Sequence, residues 1–244
     1  MNDEPRDKLD LAGRTAVVTG ASRGIGAEIA QWLSIAGVRL ALVARNTKLL
    51  EEVAATLGSD AFVVSADLSL ETDASRAAQN VMDEFEGPPD IVVNNAGLFQ
   101  ISSLHQTAVE DFSRQLSTNL LAPFVMVRAF LPGMLERRRG HIVTIGSVSD
   151  RTIFPGNGAY AATKFGARAM HEVLRAETRG TGVRATLVSP AAVDTGIWDP
   201  VKFADGSEPE RAAMLHRSAV GNAVLFALTQ PDEVNIDELR LSRS

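Results

Sequence analysis

Short apolar runs alternate with longer amphipathic segments along most of the chain. Between the runs, apolar residues recur at the three- and four-residue spacing of a helix face, as at Ile25, Ile29, Leu33 and Ala36. Runs that are apolar on both faces are typical of strands in a parallel sheet covered by helices. The predicted strands are 14–19, 39–44, 61–65, 90–94, 141–145, 184–188 and 236–241, and the predicted helices are 25–36, 48–57, 72–85, 107–139, 158–178 and 210–228.

This alternation predicts an α/β fold, a doubly wound parallel sheet (Rossmann fold) of about seven strands with helices on both faces. No linker or change of composition divides the chain, so its 244 residues are predicted to form a single domain. We expect the long helix to be interrupted near Pro123 and Pro132, and residues 1–9 to be flexible. The irregular segment 191–210, rich in glycine and proline, is the predicted substrate loop or lid.

Composition narrows the classes of function. A formal net charge of -6 provides no electrostatic footprint for nucleic acid. The absence of cysteine excludes disulfides, thiolate nucleophiles and cysteine-ligated metals, and the four histidines lack metal-ligand spacing. The acidic N-terminus does not resemble a signal peptide, and no continuous apolar stretch is long enough to cross a bilayer. We therefore expect a cytoplasmic protein with no metal, no nucleic acid and no membrane partner.

The turn after the first predicted strand contains Gly20, Gly24 and Gly26. Glycines permit a tight turn and let a pyrophosphate approach the backbone amides at the positive end of the next helix. Such a turn in isolation is weak evidence for a nucleotide site, since tight glycine turns also occur where no ligand binds. Because it opens the first strand–helix unit of an α/β chain, it predicts dinucleotide binding.

The end of the second strand indicates which dinucleotide is bound. Sites for NAD usually have an acidic residue there, which binds the ribose 2′-hydroxyl. Here Arg45 occupies that place, and Arg23 lies in the glycine turn. Two guanidinium groups suit a 2′-phosphate, so the predicted cofactor is NADP(H). The alternative is that both arginines are merely solvated.

Polar or small residues also follow the third and fourth strands. Asp67 is placed to accept a hydrogen bond from an adenine amino group, and the small Ala96 and Gly97 would let a cofactor lie against the backbone. Ligands in such sheets bind beyond the carboxyl ends of the strands, so these turns are expected to line one crevice. Alternatively, Asn94 and Asn95 only cap their own turn.

Tyr160, the only tyrosine, precedes Lys164 by four residues in a predicted helix. That spacing puts both side chains on one helix face, and a nearby cation lowers the pKa of a phenol from its ordinary value of about 10. The pair also occurs by chance on exposed helices. Ser147, just past the fifth strand, would project into the same crevice or cap a turn; no nucleophile elbow surrounds it, which argues against a serine hydrolase.

Together these residues resemble the short-chain dehydrogenase/reductase family over about residues 10–195. The resemblance is carried by residues 19–26 (TGASRGIG), residues 94–97 (NNAG), Asn119, Ser147 and residues 160–164 (YAATK). It implies direct hydride transfer between a nicotinamide and a carbonyl carbon, without a metal.

The resemblance also implies a role for each catalytic residue. Tyr160 would be the general acid in carbonyl reduction and the base in alcohol oxidation. Lys164 would hold the nicotinamide ribose and lower the pKa of Tyr160. Ser147 would bind the substrate oxygen, and Asn119 would support a water-linked proton relay to Lys164.

The implied cofactor contacts and partners follow from the same resemblance. The contacts are Gly20, Ser22, Arg23, Gly24, Ile25, Gly26, Arg45, Asp67, Leu68, Asn95, Ala96, Gly97, Tyr160, Lys164, Pro190, Val193 and Thr195. Ala191 departs from the Pro-Gly often found in the family. The carboxyl end resembles reductases of 3-hydroxy acids, small alcohols or assorted ketones. The implied partners are a small carbonyl or alcohol substrate and a second copy of the chain, in a homodimer or homotetramer assembled through helices 107–138 and 158–179.

Three hypotheses compete. The first is an NADP(H)-dependent carbonyl reductase or alcohol dehydrogenase. The second is a catalytically silent NADP-binding regulatory protein, although such a protein has no need of Asn119, Ser147, Tyr160 and Lys164 together. The third is a methyltransferase that binds S-adenosylmethionine, whose sites usually want an acid where Arg45 stands. The first is favoured.

Overall fold

The computed structural model describes residues 11–202 and 206–244. The strands are β1 (Thr15–Thr19), β2 (Arg39–Ala44), β3 (Ala61–Ser65), β4 (Ile91–Asn94), β5 (Gly140–Ile145), β6 (Val183–Pro190) and β7 (Glu238–Leu241). The helices are α1 (Gly24–Ile35), α2 (Thr47–Ala54), α3 (Glu71–Phe85), α4 (Val109–Leu116), α5 (Ala122–Glu136), α6 (Gly158–Thr178) and α7 (Arg217–Leu228).

Within the described ranges, all seven strands are parallel and form one sheet in the order β3-β2-β1-β4-β5-β6-β7. The predicted doubly wound fold is confirmed, and one sheet joins strands from both ends of the chain into a single domain. The order reverses between β1 and β4, which lie side by side although two strands separate them in sequence. A crevice therefore opens beyond the carboxyl ends of these two strands.

Two apolar cores lie on opposite faces of the sheet. Alternate residues of β1 serve them in turn: Ala16 and Val18 pack in the layer with α1, α2 and α7, and Val17 packs in the layer with α3, α5 and α6. All three side chains are completely buried. This burial on both faces explains why the strands appear in sequence as continuous apolar runs.

The long helix between β4 and β5 is interrupted at only one of the two expected places. A π-helical turn, Ser117–Leu121, separates α4 from α5, and Pro123 follows it in the first turn of α5. The wider turn suits a proline, which has no N–H to donate and whose ring crowds the carbonyl four residues earlier. Pro132 lies inside α5 without a break, so the interruption expected there was wrong.

Taken as one helix, α4, the π-helical turn and α5 (Val109–Glu136) are long and apolar enough to cross a membrane, judged by length and composition alone. The expectation that no stretch has this length was therefore wrong. In the fold, Met126, Phe130 and Met134 of this helix are completely buried in the core beside α3 and the sheet. Its apolar character thus serves packing against the sheet.

The carboxyl-terminal helix is shorter than expected. It begins at Arg217 and not near residue 210, and a single 3-10 turn, Arg211–Ala213, precedes it. His216 explains the start, because its extended backbone and a side-chain nitrogen that accepts from the Ser218 N–H cap the helix. The flexible segment expected at residues 1–9 lies outside the described residues, as do residues 203–205 of the predicted substrate loop.

Candidate active site

A cavity of about 780 Å³ occupies the crevice at the carboxyl ends of the strands. Its volume is in the range typical of sites for small molecules and cofactors, roughly 300–1,000 Å³. Every predicted site residue lines it except Gly26 and Asn119. We call the part lined by the glycine turn, Arg45 and Asp67 the cofactor end, and the part lined by Phe99, Phe154 and Trp198 the substrate end.

The glycine turn shapes the cofactor end. Gly20 and Gly24 have φ angles of 68° and 60°, which disfavour side chains. Gly26 lies beneath the turn, where a Cβ atom would come 2.3 Å from the Gly20 carbonyl oxygen. Its prediction as a cofactor contact is therefore corrected: the absence of a side chain at Gly26 lets α1 pack against the turn.

The first turn of α1 fits an anionic group. No side chain caps the helix at Arg23, and its first turn contains no acidic residue. The first amides of a helix have no intrahelical acceptor, and here they belong to Gly24 and Ile25, which line the cavity. Unpaired amides at a positive helix end are suited to a pyrophosphate, so these residues fit the predicted dinucleotide.

Two arginines and one aspartate are the charged side chains of the cofactor end. Arg45 follows β2 with 61% of its side chain exposed, and its Nη1 lies 4.0 Å from Asp67 Oδ2. Arg23 is exposed and also lines the cavity. The Asp67 Oδ1 atom accepts hydrogen bonds from the N–H and hydroxyl of Ser69. Both guanidinium groups thus remain accessible to a phosphate.

Asn95 ties the turn after β4 to the end of β1. Its Nδ2 donates to the Thr19 carbonyl oxygen at 2.9 Å, and its N–H donates to Thr19 Oγ1 at 3.0 Å. The alternative that Asn95 only caps its own turn is therefore wrong, because these bonds run to a different strand; Asn95 also lines the cavity with Ala96 and Gly97. Leu68, Pro190, Val193 and Thr195 complete the predicted cofactor contacts that line the cavity.

The three central catalytic candidates come together where the two ends of the cavity meet. Tyr160 and Lys164 occupy consecutive turns at the start of α6, with Lys164 Nζ 5.6 Å from the centre of the phenol ring. Ser147 follows β5, and its hydroxyl lies beside the Tyr160 hydroxyl, which lowers the pKa of the phenol. Ser147 also caps the turn after β5, since its Oγ accepts from the Ser149 N–H.

The pKa of Tyr160 departs from the expectation. Burial raises it to about 12, outweighing the lowering by Ser147. Lys164, expected to lower it, is itself buried and donates from Nζ to the Ile145 carbonyl oxygen at 2.9 Å. Burial lowers the pKa of Lys164 to about 8. The phenol is therefore protonated at neutral pH, and the expected net lowering was wrong for this structure.

Asn119 lies in the π-helical turn, outside the cavity lining. Its Oδ1 accepts from the Leu98 N–H at 2.7 Å, while its Nδ2 donates to the Leu98 carbonyl and to Thr163 Oγ1. Thr163 in turn donates to the Tyr160 carbonyl oxygen at 2.7 Å. The side chain thus joins the loop after β4 to α6, and the support of a water-linked relay to Lys164 by Asn119 stays a prediction.

Comparison with known proteins agrees with this arrangement. A family model described as short chain dehydrogenase matches residues 14–204. The chain belongs to the short-chain dehydrogenase/reductase family. It is an oxidoreductase of the kind that uses a nicotinamide dinucleotide.

Individual members of the family cover nearly the whole chain. An uncharacterized oxidoreductase of Staphylococcus epidermidis is 36% identical over 93% of this chain and 96% of its own. An alcohol dehydrogenase of the archaeon Thermococcus sibiricus, solved with 5-hydroxy-NADP, has a TM-score of 0.82 and 32% identity over 93% of this chain and 95% of that one. A serine dehydrogenase of Escherichia coli has a TM-score of 0.80 and 30% identity over 93% of this chain and 96% of that one.

Two features of this short-chain dehydrogenase/reductase had no signal in the sequence. Asp150 is completely buried, and its Oδ2 accepts from the Ser189 hydroxyl at 2.6 Å while Oδ1 pairs with Arg151 at 2.7 Å. Its negative charge raises the pKa of both Tyr160 and Lys164. A lone aspartate in a polar loop resembles a solvated residue, and only the fold reveals its burial.

The second feature is a set of edge-to-face ring contacts that includes Tyr160. Trp198 lies in the irregular segment 191–210, where no local pattern of the sequence distinguishes it from its neighbours. Phe99 makes edge contacts with both Tyr160 and Trp198. Of the described part of the predicted loop, only residues within 191–198 line the cavity.

Proposed function

We propose that the protein is an NADP(H)-dependent oxidoreductase that interconverts a ketone or aldehyde and the corresponding alcohol, with Tyr160 as general acid and base. One observation carries the proposal. The only tyrosine of the chain, flanked by Ser147 and Lys164, stands where the cofactor end of the cavity meets the substrate end. A substrate carbonyl bound against this phenol would also face the nicotinamide.

The preference for NADP(H) rests on charge at the cofactor end. Arg23 and Arg45 line it, and Arg45 stands at the strand end where NAD sites usually have an acid. A 2′-phosphate would gain charge-assisted hydrogen bonds there, whereas the ribose hydroxyl of NAD(H) would find no carboxylate at that position. The similar alcohol dehydrogenase of Thermococcus sibiricus was solved with an NADP derivative, which agrees with this preference.

The cofactor and the protein supply different parts of the proposed reaction. The bound nicotinamide supplies or accepts the hydride. In reduction, the Tyr160 hydroxyl donates its proton to the carbonyl oxygen, and the Ser147 hydroxyl stabilises the negative charge that develops there. Because the pKa of Tyr160 is raised to about 12, the protonated form needed for this step is present at neutral pH.

Lys164 holds a position suited to the ribose and to proton supply. Its lowered pKa of about 8 leaves it able to give and take a proton near neutral pH. A route from solvent would use the Asn119 backbone, because the side chain of Asn119 is engaged in hydrogen bonds. Pro123 has no N–H, so the carbonyl of Asn119 lacks the α-helical donor four residues on.

The test is to incubate the protein with NADPH and a panel of ketones and aldehydes while following the loss of NADPH absorbance. The proposal expects cofactor-dependent turnover, with a higher kcat/KM for NADPH than for NADH. Tight NADPH binding without turnover of any carbonyl or alcohol would favour the silent regulatory protein instead.

Self-association and a cytoplasmic location are also proposed. A shallow apolar groove lies between the π-helical turn and α6, lined by Leu116, Leu120, Leu121, Phe124 and Met170. Phe124 is 47% exposed and Leu121 40% exposed. Exposed apolar side chains grouped on one face are typical of subunit interfaces.

Light scattering on a sizing column tests the interface. Phe124→Asp should lower the mass towards that of the monomer, because a carboxylate would be buried unpaired between subunits. Leu135→Asp, at an exposed apolar position of α5 outside the groove, is the matched control. An unchanged mass for Phe124→Asp would exclude this groove as the interface.

A further inference from the structure

Charge is distributed unevenly along the cavity. Its charged lining side chains are Arg23, Arg45 and Asp67 at the cofactor end and Lys164 at the junction. Beyond Tyr160, the described lining residues carry no charged side chain. Their largest members are apolar or aromatic: Phe99, Ile101, Val148, Phe154, Ile197 and Trp198.

Three rings form a continuous wall at the substrate end. The ring centre of Phe99 lies 4.8 Å from that of Tyr160 at an angle of 75°, and 4.9 Å from that of Trp198 at 65°. The Trp198 Nε1 donates to the Val193 carbonyl oxygen at 3.0 Å, so the one polar atom of the indole is already satisfied. Edge contacts of this kind leave ring faces for a further aromatic group.

The arginines nearest this end are already paired. Arg211 Nη1 contacts Asp194 Oδ1 and the Thr195 carbonyl oxygen, both at 2.6 Å, and its Nη2 pairs with Asp199. These bonds fix the loop that carries Trp198 and occupy the Arg211 guanidinium group with two carboxylates.

Arg151, which follows the buried Asp150 in sequence, is also engaged. It pairs with Asp150 at 2.7 Å and with Glu238 on β7. Lys164, a further cation of the cavity lining, donates to the Ile145 carbonyl oxygen. A carboxylate group on a substrate would therefore have to compete with the protein carboxylates that are already paired with Arg211 and Arg151.

We propose that the substrate is an uncharged carbonyl compound with a flat aromatic group next to the carbonyl, and that substrates bearing a carboxylate are rejected. This proposal rests on the function proposed above. The aromatic group would pack on Phe99 and Trp198 while the carbonyl oxygen meets Tyr160 and Ser147. A hydride from NADPH is added to the carbonyl carbon and the Tyr160 proton is added to the oxygen, so the products are a benzylic alcohol and NADP⁺, and a proton from solvent restores the Tyr160 phenol.

The physical reason for rejection is desolvation. A carboxylate that leaves water for an apolar site without a new partner loses several kcal/mol of hydration. The proposal thus separates this chain from the similar serine dehydrogenase of Escherichia coli, since serine carries a carboxylate. It also excludes the 3-hydroxy acids among the substrate types that the carboxyl end suggested.

Two matched substrate pairs test the proposal on the unmodified protein. Ethyl acetoacetate and acetoacetate differ in charge, and the ester should have a kcat/KM about 100-fold higher or more. Acetophenone and cyclohexyl methyl ketone differ in flatness, and the aromatic ketone should be preferred about 10-fold. Equal or better use of acetoacetate would overturn the exclusion of carboxylates.

A variant at Trp198 tests whether the three-ring wall causes the preference for an aromatic ketone. Trp198→Leu should lower kcat/KM for acetophenone about 10-fold or more and bring its ratio to the cyclohexyl ketone close to one. Phe85→Leu is the control, since it breaks a similar edge-to-face pair with Phe62 away from the cavity. A ratio unchanged in Trp198→Leu would contradict the assignment of Trp198.

The failure of this proposal can be distinguished from failure of the proposed function. If the protein reduces no carbonyl at all with NADPH, the proposed function is wrong. If it reduces carbonyl compounds but prefers acids or aliphatic ketones, the proposed function stands and the substrate assignment is overturned.

Discussion

At the cofactor end of the cavity the lining is largely backbone and small residues at strand ends, whereas at the substrate end it is large side chains from loops. Gly20 and Ala96 follow neighbouring strands of one rigid sheet. Phe99 and Trp198, by contrast, lie 99 positions apart in the numbering and meet only because their loops converge.

This difference separates the cofactor end, which a short motif can form, from the substrate end, which depends on the loops of this particular chain. A pyrophosphate needs amides at a helix end, and a short local motif suffices to place them. The shape and polarity around a substrate depend on side chains from distant segments, each held by its own contacts. The four predictions below test whether the two ends act independently, from the largest expected effect to the smallest.

The strongest test removes the proton donor at the junction. Tyr160→Phe should lower kcat by about 10²- to 10⁴-fold, because a general acid contributes on that order. The dissociation constant of NADPH, measured by fluorescence titration, should change less than about threefold, since the cofactor end keeps its amides and arginines. Substantial residual turnover would refute the acid–base assignment.

Charge reversal at Arg45 tests the cofactor end alone. Arg45→Asp should lower the ratio of kcat/KM for NADPH to that for NADH by roughly 10- to 100-fold, because a charge-assisted hydrogen bond is worth about 1.5–3 kcal/mol. The ranking of carbonyl substrates should not change. Arg179→Asp, at the far end of α6 about 30 Å from Tyr160, is the control. An unchanged cofactor ratio would mean that Arg45 contacts only solvent.

The stability of the fold that supports both ends should decrease in acid. Burial lowers the pKa of His171 to about 4, whereas the ordinary value is 6.5. The unfolded chain therefore binds a proton that the folded chain refuses, and stability falls as the pH drops from 6.5 towards 4, by up to about 3 kcal/mol from this residue. Urea unfolding at several pH values measures the loss.

His171→Gln should flatten that pH dependence, although His141, also buried with a lowered pKa, keeps part of it. His105→Gln, which replaces an exposed histidine, is the matched control. The same slope in His171→Gln and the unmodified protein would show that His171 does not contribute.

The smallest expected effect comes from the buried carboxylate of Asp150, whose charge acts on the candidate catalytic residues Tyr160 and Lys164. Asp150 raises the pKa of Tyr160, so Asp150→Asn should lower it and shift the rising limb of alcohol oxidation to lower pH. The pH profile of kcat/KM measures the shift. Glu238→Gln breaks the other ion pair of Arg151 while keeping Asp150, and should leave the profile in place. A shift of equal size in both variants would attribute the effect to the ion pairs and not to the charge of Asp150.

Much of the fold and of the catalytic set could be predicted from the sequence because the signals are local. Buried parallel strands are apolar throughout, so the alternation of strands and helices was visible without coordinates. The four-residue spacing of Tyr160 and Lys164 is a property of any helix, and α6 confirms it. The helix start at Arg217 was missed, since His216 is not among the favoured capping residues.

The electrostatics and the substrate end depended on the tertiary structure. A pKa is set by burial and by charges brought in from other segments, which is why the predicted lowering for Tyr160 gave way to a rise. Asp150 and Trp198 belong to loops whose sequence resembles solvated surface, and only packing puts one in the interior and the other on the cavity wall. Local spacing therefore determined the fold and the candidate catalytic residues of this oxidoreductase, whereas contacts between distant segments decided their proton affinity and the shape of the site.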